Sequence, residues 1–261
     1  LKNRNKQRKI HIALSCVCFY FALISKESSI TFIGVILLTS LVVFKDSIKR
    51  VIQLIVAFLA TSGVYLLSFY LFINKIVGSA GIAIINNSLV AAETSLDQFS
   101  TKMLILGKYL LLLIFPHPLI YDYSYNHIPN VNWYDPAAIV SIIIVLSLMG
   151  YALFWVYKII KNKAVLQPRH FFYSFSIFFF SITLLLVSNL IILIEATMAE
   201  RFIYTPSVGF AIFGGVFLSS IFKFDLTGSY SSLKKNNKIV MAMVFILSLY
   251  SYKTISRNAA W

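Results

Sequence analysis

Acidic residues are scarce: nine Asp and Glu stand against 23 Lys and Arg in a chain of 261 residues. A net charge of +14 would suit a nucleic-acid partner, but its distribution argues against one. The cations gather at the ends of apolar runs, with no basic-aromatic stacking surface between them. No nucleic acid is expected, and the charge reads as topology-setting. Cysteine is nearly missing as well. The two present, Cys16 and Cys18, lie two apart inside an apolar run and would point in different directions on a helix. No disulfide, redox or metal role is expected of them. Internal repeats and low-complexity tracts are absent, and no His, Asp or Glu spacing makes a metal site. Proline is rare: of six, three fall within residues 115–129.

What fills the chain is apolar. Hydrophobic residues make up 59% and mean hydropathy is +0.83. Runs such as SIIIVLSLMGYALFWVY and FFYSFSIFFFSITLLLVSNLIILI are too long for a soluble core, since about 20 apolar residues cross a hydrocarbon layer of ~30 Å. Backbone groups in lipid must pair within their own segment, so the runs should be helices. The expected fold is an all-α, polytopic membrane protein with spans near 10–24, 30–44, 51–72, 136–157, 171–194, 202–222 and 239–252. A weaker run, 102–115, is interrupted by Lys102 and Lys108. It is expected as an interfacial helix within an outer loop covering 73–135.

Seven crossings put the start inside and Trp261 outside. Sixteen of the 23 basic residues then fall inside, and seven of the nine acidic ones outside, the bias that sets membrane topology. Were 102–115 to cross, KIIKNK and KKNNK would face outward against that bias. Basic KNRNKQRK precedes a span of about fifteen apolar residues, which fits a signal peptide, but no small-residue cleavage site follows. The numbering is expected to begin inside a longer protein. Asn86-Asn87-Ser88 in the outer loop matches the N-glycosylation acceptor pattern.

This topology places three polar clusters on the outer side. The first is SKESS, 25–29. Its flanking apolar legs offer about 22 Å of helix each against a ~30 Å core, so Lys26 and Glu27 would sit below the headgroups. A charge there needs a partner or water; the plainer reading is a Lys–Glu pair snorkelling at the interface. The second is FPHPLIYDYSYNHIP, 115–129. Pro116 and Pro118 restrict the chain around His117 and halt a preceding helix. Asp122 lies among Tyr121, Tyr123 and Tyr125. His117 and Asp122 suit proton transfer or phosphate binding; the alternative is an interfacial aromatic belt carrying incidental polar residues. The third is EATMAERFIYTPSVGF, 195–210. Thr205 and Pro206 resemble an N-cap and first helical position, as do Asp135 and Pro136. A helix N-terminus beside Arg201 makes an anion site, unless Glu200 simply neutralises the arginine.

The second and third stretches resemble signatures of the transmembrane and tetratricopeptide-repeat O-mannosyltransferases and their bacterial relatives. SKES is similar to that family's Ser-Lys-Glu element, and SRNAAW at 256–261 to the Arg-Asn-x-x-Trp passage leading into its repeats. The resemblance implies a GT-C type glycosyltransferase. Such an enzyme moves a sugar, with inversion, from a polyprenyl-phosphate carrier (dolichyl-phosphate mannose in eukaryotes) to a protein Ser/Thr hydroxyl on the luminal or extracytoplasmic side. Its implied partners are membrane lipid, the lipid-linked sugar and a protein acceptor. The implied membrane is that of the bacterial cytoplasm or the endoplasmic reticulum, and a divalent metal requirement stays open.

On this reading Arg201, Lys26 and His117 meet the donor phosphate, with Glu200 orienting Arg201 and Glu27 orienting Lys26. Asp122, Tyr123 and Tyr204 shape the sugar or acceptor pocket. The family's acidic catalytic loop is expected before residue 1 and its repeats after Trp261. The catalytic base is thus expected upstream, with Asp122 the substitute within this chain. Two rivals would also use outer-face cations: a transporter or flippase of an anionic lipid-linked substrate, and a polymerase or ligase of lipid-linked glycans. The lack of half-to-half similarity speaks against the first.

Overall fold

Hydropathy demands helices, and helices form. A computed structural model of the chain describes residues 2–44, 46–72, 82–120, 122–123, 127–161, 168–223 and 237–259. Within them lie eight α-helices and no strand: α1 (Lys2–Ser25), α2 (Phe32–Leu38), α3 (Ile48–Phe72), α4 (Ser95–Ile114), α5 (Pro136–Lys161), α6 (Pro168–Leu185), α7 (Pro206–Ile221) and α8 (Asn237–Asn258). Among the described residues, three stretches are long and apolar enough to cross a membrane: Ile48–Phe72, Pro136–Lys158 and Asn237–Asn258. Four apolar helices are shorter: Ile10–Ser25, Glu27–Leu41, Arg169–Leu185 and Pro206–Ile221. Large apolar side chains such as Val56, Leu59, Ile143, Leu146, Val244 and Phe245 stand exposed along the long helices, a surface suited to lipid and ill-suited to water.

Several boundaries differ from those the hydropathy suggests. The run 171–194 is not one helix, because α6 stops at Leu185. Asn189 adopts φ 59°, and its side chain takes over the bonding that a continuing helix would supply. The stretch 202–222 starts instead as a 3-10 turn at Glu200–Ile203, with α7 opening on Pro206. Thr205 does not cap that helix: its backbone is helical and its hydroxyl makes no capping bond. Asp135 does cap α5, its Oδ1 accepting from the Ala138 N–H at 3.0 Å. The run 30–44 is divided into a 3-10 turn (Glu27–Thr31), α2 and a π turn (Thr39–Val43). Helix α4 begins earlier than 102 because Thr94 caps it, accepting from the Asp97 N–H and donating to the Asp97 carboxylate. This reciprocal arrangement satisfies an otherwise orphaned donor. Cys16 and Cys18 are unpaired.

Helices α1 and α3 lie side by side in parallel, Phe19 meeting Phe58 edge-on at 5.0 Å and Tyr20 bonding Ser68. Helices α5 and α6 are antiparallel, with Trp155 stacked on His170 at 3.7 Å. Helix α7 returns along α6 so closely at Gly209 that an added Cβ would lie 2.7 Å from the Ser176 carbonyl. That separation admits no side chain, which is why glycine stands there. Helix α2 touches α6 near Gly34 and Ile182. These directions bring the 26–31 tip, the C-terminal end of α6 and the N-terminal ends of α5 and α7 to one end of the bundle, the loop end. Helix α4 packs on α5 and on the loops there. Its buried Met103, Ile105, Leu106, Tyr109 and Leu112 share a core with Leu89, Tyr123, Ile128, Leu184 and Met198.

Candidate functional site

Loops over an apolar core must find partners for their buried backbone groups, and three loops here find them in one another. Buried Asn87 donates from Nδ2 to Asn189 Oδ1 at 3.0 Å and to the Ile194 carbonyl at 2.8 Å. Asn189 donates to the carbonyls of Ala196 and Thr197 and accepts from the Ile194 N–H. Ser88 donates its N–H to Thr197 Oγ1 and its hydroxyl to the Ile128 carbonyl. Asn130 donates to the Ser88 carbonyl, and the Val131 N–H to Thr101 of α4. The glycosylation pattern at 86–88 therefore has its serine buried in this knot, with Asn86 exposed beside it.

This frame holds the two signature segments together. The Tyr123 N–H donates to the Met198 carbonyl at 3.0 Å, an isolated antiparallel bridge. Buried Tyr109 of α4 braces it, accepting from the Ala199 N–H at 3.1 Å and donating to the Ala199 carbonyl at 3.4 Å. Arg201 Nη2 then stands 3.3 Å from Asp122 Oδ2, an ion pair joining residues 79 apart in the chain. Glu200 Oε1 accepts from the Ile120 N–H, and the Tyr123 hydroxyl donates to the Pro118 carbonyl at 3.4 Å. The carboxylate pairing with Arg201 is thus Asp122's, whereas Glu200 fixes the 118–123 segment. His117 precedes a cis-proline peptide, and its Nδ1 meets Lys253 Nζ of α8 at 3.2 Å. Tyr204 is 81% exposed.

Lys26 and Glu27 lie at the loop end, in the turn between α1 and α2. Among the described residues no ion pair joins them. Lys26 and Glu27 are both exposed. Tyr121 and Tyr125 lie outside the described residues. Two cations absent from the sequence-derived site are here as well: Lys253, and Arg257, whose charge reaches both Glu200 and Tyr123. Their spacing of four on one helix was the available signal; nothing local revealed which loop that face would meet.

Burial pushes the Tyr123 hydroxyl up to about 12, with the neighbouring Glu200 charge adding and Arg257 opposing. Burial also raises Glu200 above the ordinary 4.5, against the lowering pull of the Ile120 N–H, Arg257 and Tyr123. A carboxyl with a raised folded-state pKa favours folding when protonated, so its contribution is full below 4.5 and is lost as pH rises through the raised value. The melting temperature of the protein in detergent is expected to fall across that window. Glu200→Gln should flatten the fall, and parallel curves for the two proteins would refute the assignment.

Beneath the loops, α4, α5, α6 and α7 enclose an apolar cavity of about 440 Å³. Ile114, Ser188 and Leu190 line it near the loop end, and Leu148, Ile177 and Phe213 further along.

No family model and no solved structure matches the chain. Two curated proteins do. Human Protein O-mannosyl-transferase TMTC1 is 26% identical over 175 residues, 65% of this chain and 18% of that protein. Its mouse counterpart is 26% identical over 171 residues, 64% and 16% respectively. The chain spans under a fifth of the length of these relatives.

Proposed function

We propose that this chain belongs to the membrane domain of a glycosyltransferase. It moves a mannose-like sugar from a polyprenyl-phosphate carrier to a protein Ser/Thr hydroxyl on the extracytoplasmic or luminal face. The observation that carries the reading is the union of the two signature segments. Arg201 pairs with Asp122 and Glu200 holds the Ile120 N–H at the loop end of a bundle whose helices line an apolar cavity. The distant likeness to O-mannosyl-transferases supports the same chemistry. So does the charge bias, which favours seven crossings with the loop end outside.

In this scheme the carrier's isoprenoid tail occupies the cavity, whose lining is almost wholly apolar and whose volume suits a small-molecule site. The donor phosphate meets Arg201 and His117, with Lys26 approaching from the hairpin tip. Transfer forms a bond from the acceptor oxygen to the anomeric carbon and breaks the bond from that carbon to the phosphate oxygen. The hydroxyl proton goes to a carboxylate base, and the carrier departs as a phosphate monoester. Preorganised cations stabilise the charge growing on that phosphate. Asp122 holds the Arg201 guanidinium in place; Glu200 and Tyr123 hold the backbone that carries Asp122; Tyr204 offers an exposed ring for the sugar or acceptor.

The product decides the reading. Purified protein in lipid nanodiscs, given a polyprenyl-phosphate sugar and an acceptor peptide, is expected to yield a glycosylated serine or threonine. An extended lipid-linked glycan would make it a polymerase or ligase. Movement of intact lipid across the bilayer without transfer would make it a flippase.

A further inference from the structure

Away from the loop end, α1, α2 and α3 leave between them a groove of about 780 Å³. Its walls are largely apolar, formed by Ile12, Phe19, Phe32, Ile36, Leu54 and Phe58. The serines among its lining residues are spent on their own chain, Ser15 donating to the His11 carbonyl at 2.8 Å and Ser29 to the Ala22 carbonyl at 3.0 Å. The ionisable nitrogen groups in the lining, His11 and Arg50, both stand at one end. Helices α1 and α3 run parallel and meet where Phe19 touches Phe58 at 5.0 Å. His11 and Arg50 each precede that contact by about two turns, roughly 12 Å toward the helix starts. From His11 to Ala22 the groove follows α1 for about 16 Å. That is the depth of one leaflet, half of a ~30 Å hydrocarbon core.

We propose that the groove holds one acidic phospholipid, with an acyl chain lying along α1 and the phosphate level with His11 and Arg50. Composition supplies the charge complementarity. Residues 1–15 hold five Lys and Arg and no acid, and residues 45–50 hold three with Asp46. Asp46 accepts from Arg50 Nη1, which uses one of the five donors of a guanidinium, and the Arg50 side chain is 41% exposed. A phosphate oxygen is a second acceptor for that fork. The charge bias that places the start of α1 inside makes the occupant a lipid of the cytoplasmic leaflet, where anionic headgroups attract basic segments. A zwitterionic lipid brings the same chain but adds a cation to a basic surface. A carrier whose phosphate lies at the loop end would have its headgroup at the opposite end of the bundle. The occupant is therefore distinct from the sugar donor, and the site stands independently of the sugar-transfer reading. Its acyl chain gives three helices that border a hollow a common packing partner.

The test is native mass spectrometry of the whole chain, titrated with phosphatidylglycerol and with phosphatidylcholine of identical acyl chains. One phosphatidylglycerol per protein is expected to bind about tenfold more tightly than phosphatidylcholine. Arg50→Gln should remove most of that preference and leave phosphatidylcholine binding as it was, whereas Arg50→Lys should retain most of it. Leu54→Trp narrows the groove and keeps the charges, so it should weaken both lipids about tenfold. Equal affinities for the two lipids in the wild type, or an Arg50→Gln protein with its preference intact, would overturn the proposal. So would displacement by equimolar polyprenyl phosphate, which would give the groove to the carrier. Displacement by millimolar inorganic phosphate would reduce it to an ion site and overturn it equally. Photolabelling locates the occupant in the wild type without relying on any variant to fold. Phosphatidylglycerol with a diazirine in its acyl chain should mark residues 12–22, 32–36 and 54–58. Marks confined to other helices sink the inference and leave the loop-end site untouched.

Discussion

Replacing Asn189 with alanine is expected to lower stability by about 3–5 kcal/mol and to dissolve the loop end as an ordered unit. Asn189 is 1% exposed, and every polar atom of its amide is used. Its loss strands the Ile194 N–H, the carbonyls of Ala196 and Thr197, and one bond of the Asn87 amide. A buried polar group left alone costs about 1–3 kcal/mol, and partial rehydration of a loop near the membrane surface keeps the sum below four such penalties. A second effect comes from the backbone. At φ 59° alanine is strained by roughly 1–2 kcal/mol, whereas glycine is not. Asn189→Gly should therefore melt above Asn189→Ala and still well below wild type. Asn87→Ala strikes the same knot from the other side, so the double variant should lose less than the two single losses together. Thermal unfolding in detergent checks all three. An Asn189→Ala protein melting within about 2 °C of wild type would show that the amide network does not hold the loops.

The knot also marks where the sequence stopped being informative. Helices over 48–72, 136–161 and 237–258 follow from unbroken apolar runs, because lipid leaves the backbone no other arrangement. The cap at Asp135 and the start at Pro136 follow from local side-chain chemistry. The break at Leu185 was hidden inside an equally apolar run. Ser188 and Asn189 look like minor interruptions until Asn87, about a hundred residues earlier, arrives to bond them. The site divides the same way. His117, Asp122, Glu200 and Arg201 stood out as polar groups in expensive places; Asp122 meets Arg201 and Glu200 meets the Ile120 N–H, whereas His117 meets Lys253. Which carboxylate meets which cation depended on long-range register: the Tyr123–Met198 bridge sets Asp122, not Glu200, against Arg201. Lys253 and Arg257 were visible as residues and invisible as partners, because a helix face carries no label for the loop it will meet.

Arg201→Gln is expected to cut the rate of sugar transfer by roughly 10²–10³-fold while leaving the protein folded. The two halves of that expectation have separate grounds. The Arg201 side chain is 42% exposed, and an ion pair so open to solvent adds little to stability, so its removal should scarcely move the melting temperature. The rate is another matter. A guanidinium beside the departing phosphate acts most strongly when the second negative charge forms, which places its effect in kcat more than in donor affinity. Arg201→Lys keeps the charge and loses the fork geometry, so it should fall between the two. Asp122 then distinguishes a positioning partner from a base. If Asp122 works by aiming Arg201, Asp122→Asn should slow transfer several-fold in the wild-type background and hardly at all once Arg201 is glutamine. If Asp122 takes the acceptor proton, its loss should remain severe in both backgrounds and the acid limb of the pH–rate profile should vanish with it. Full activity in Arg201→Gln would remove the arginine from the chemistry and leave the Asp122 pair as a clasp between two loops.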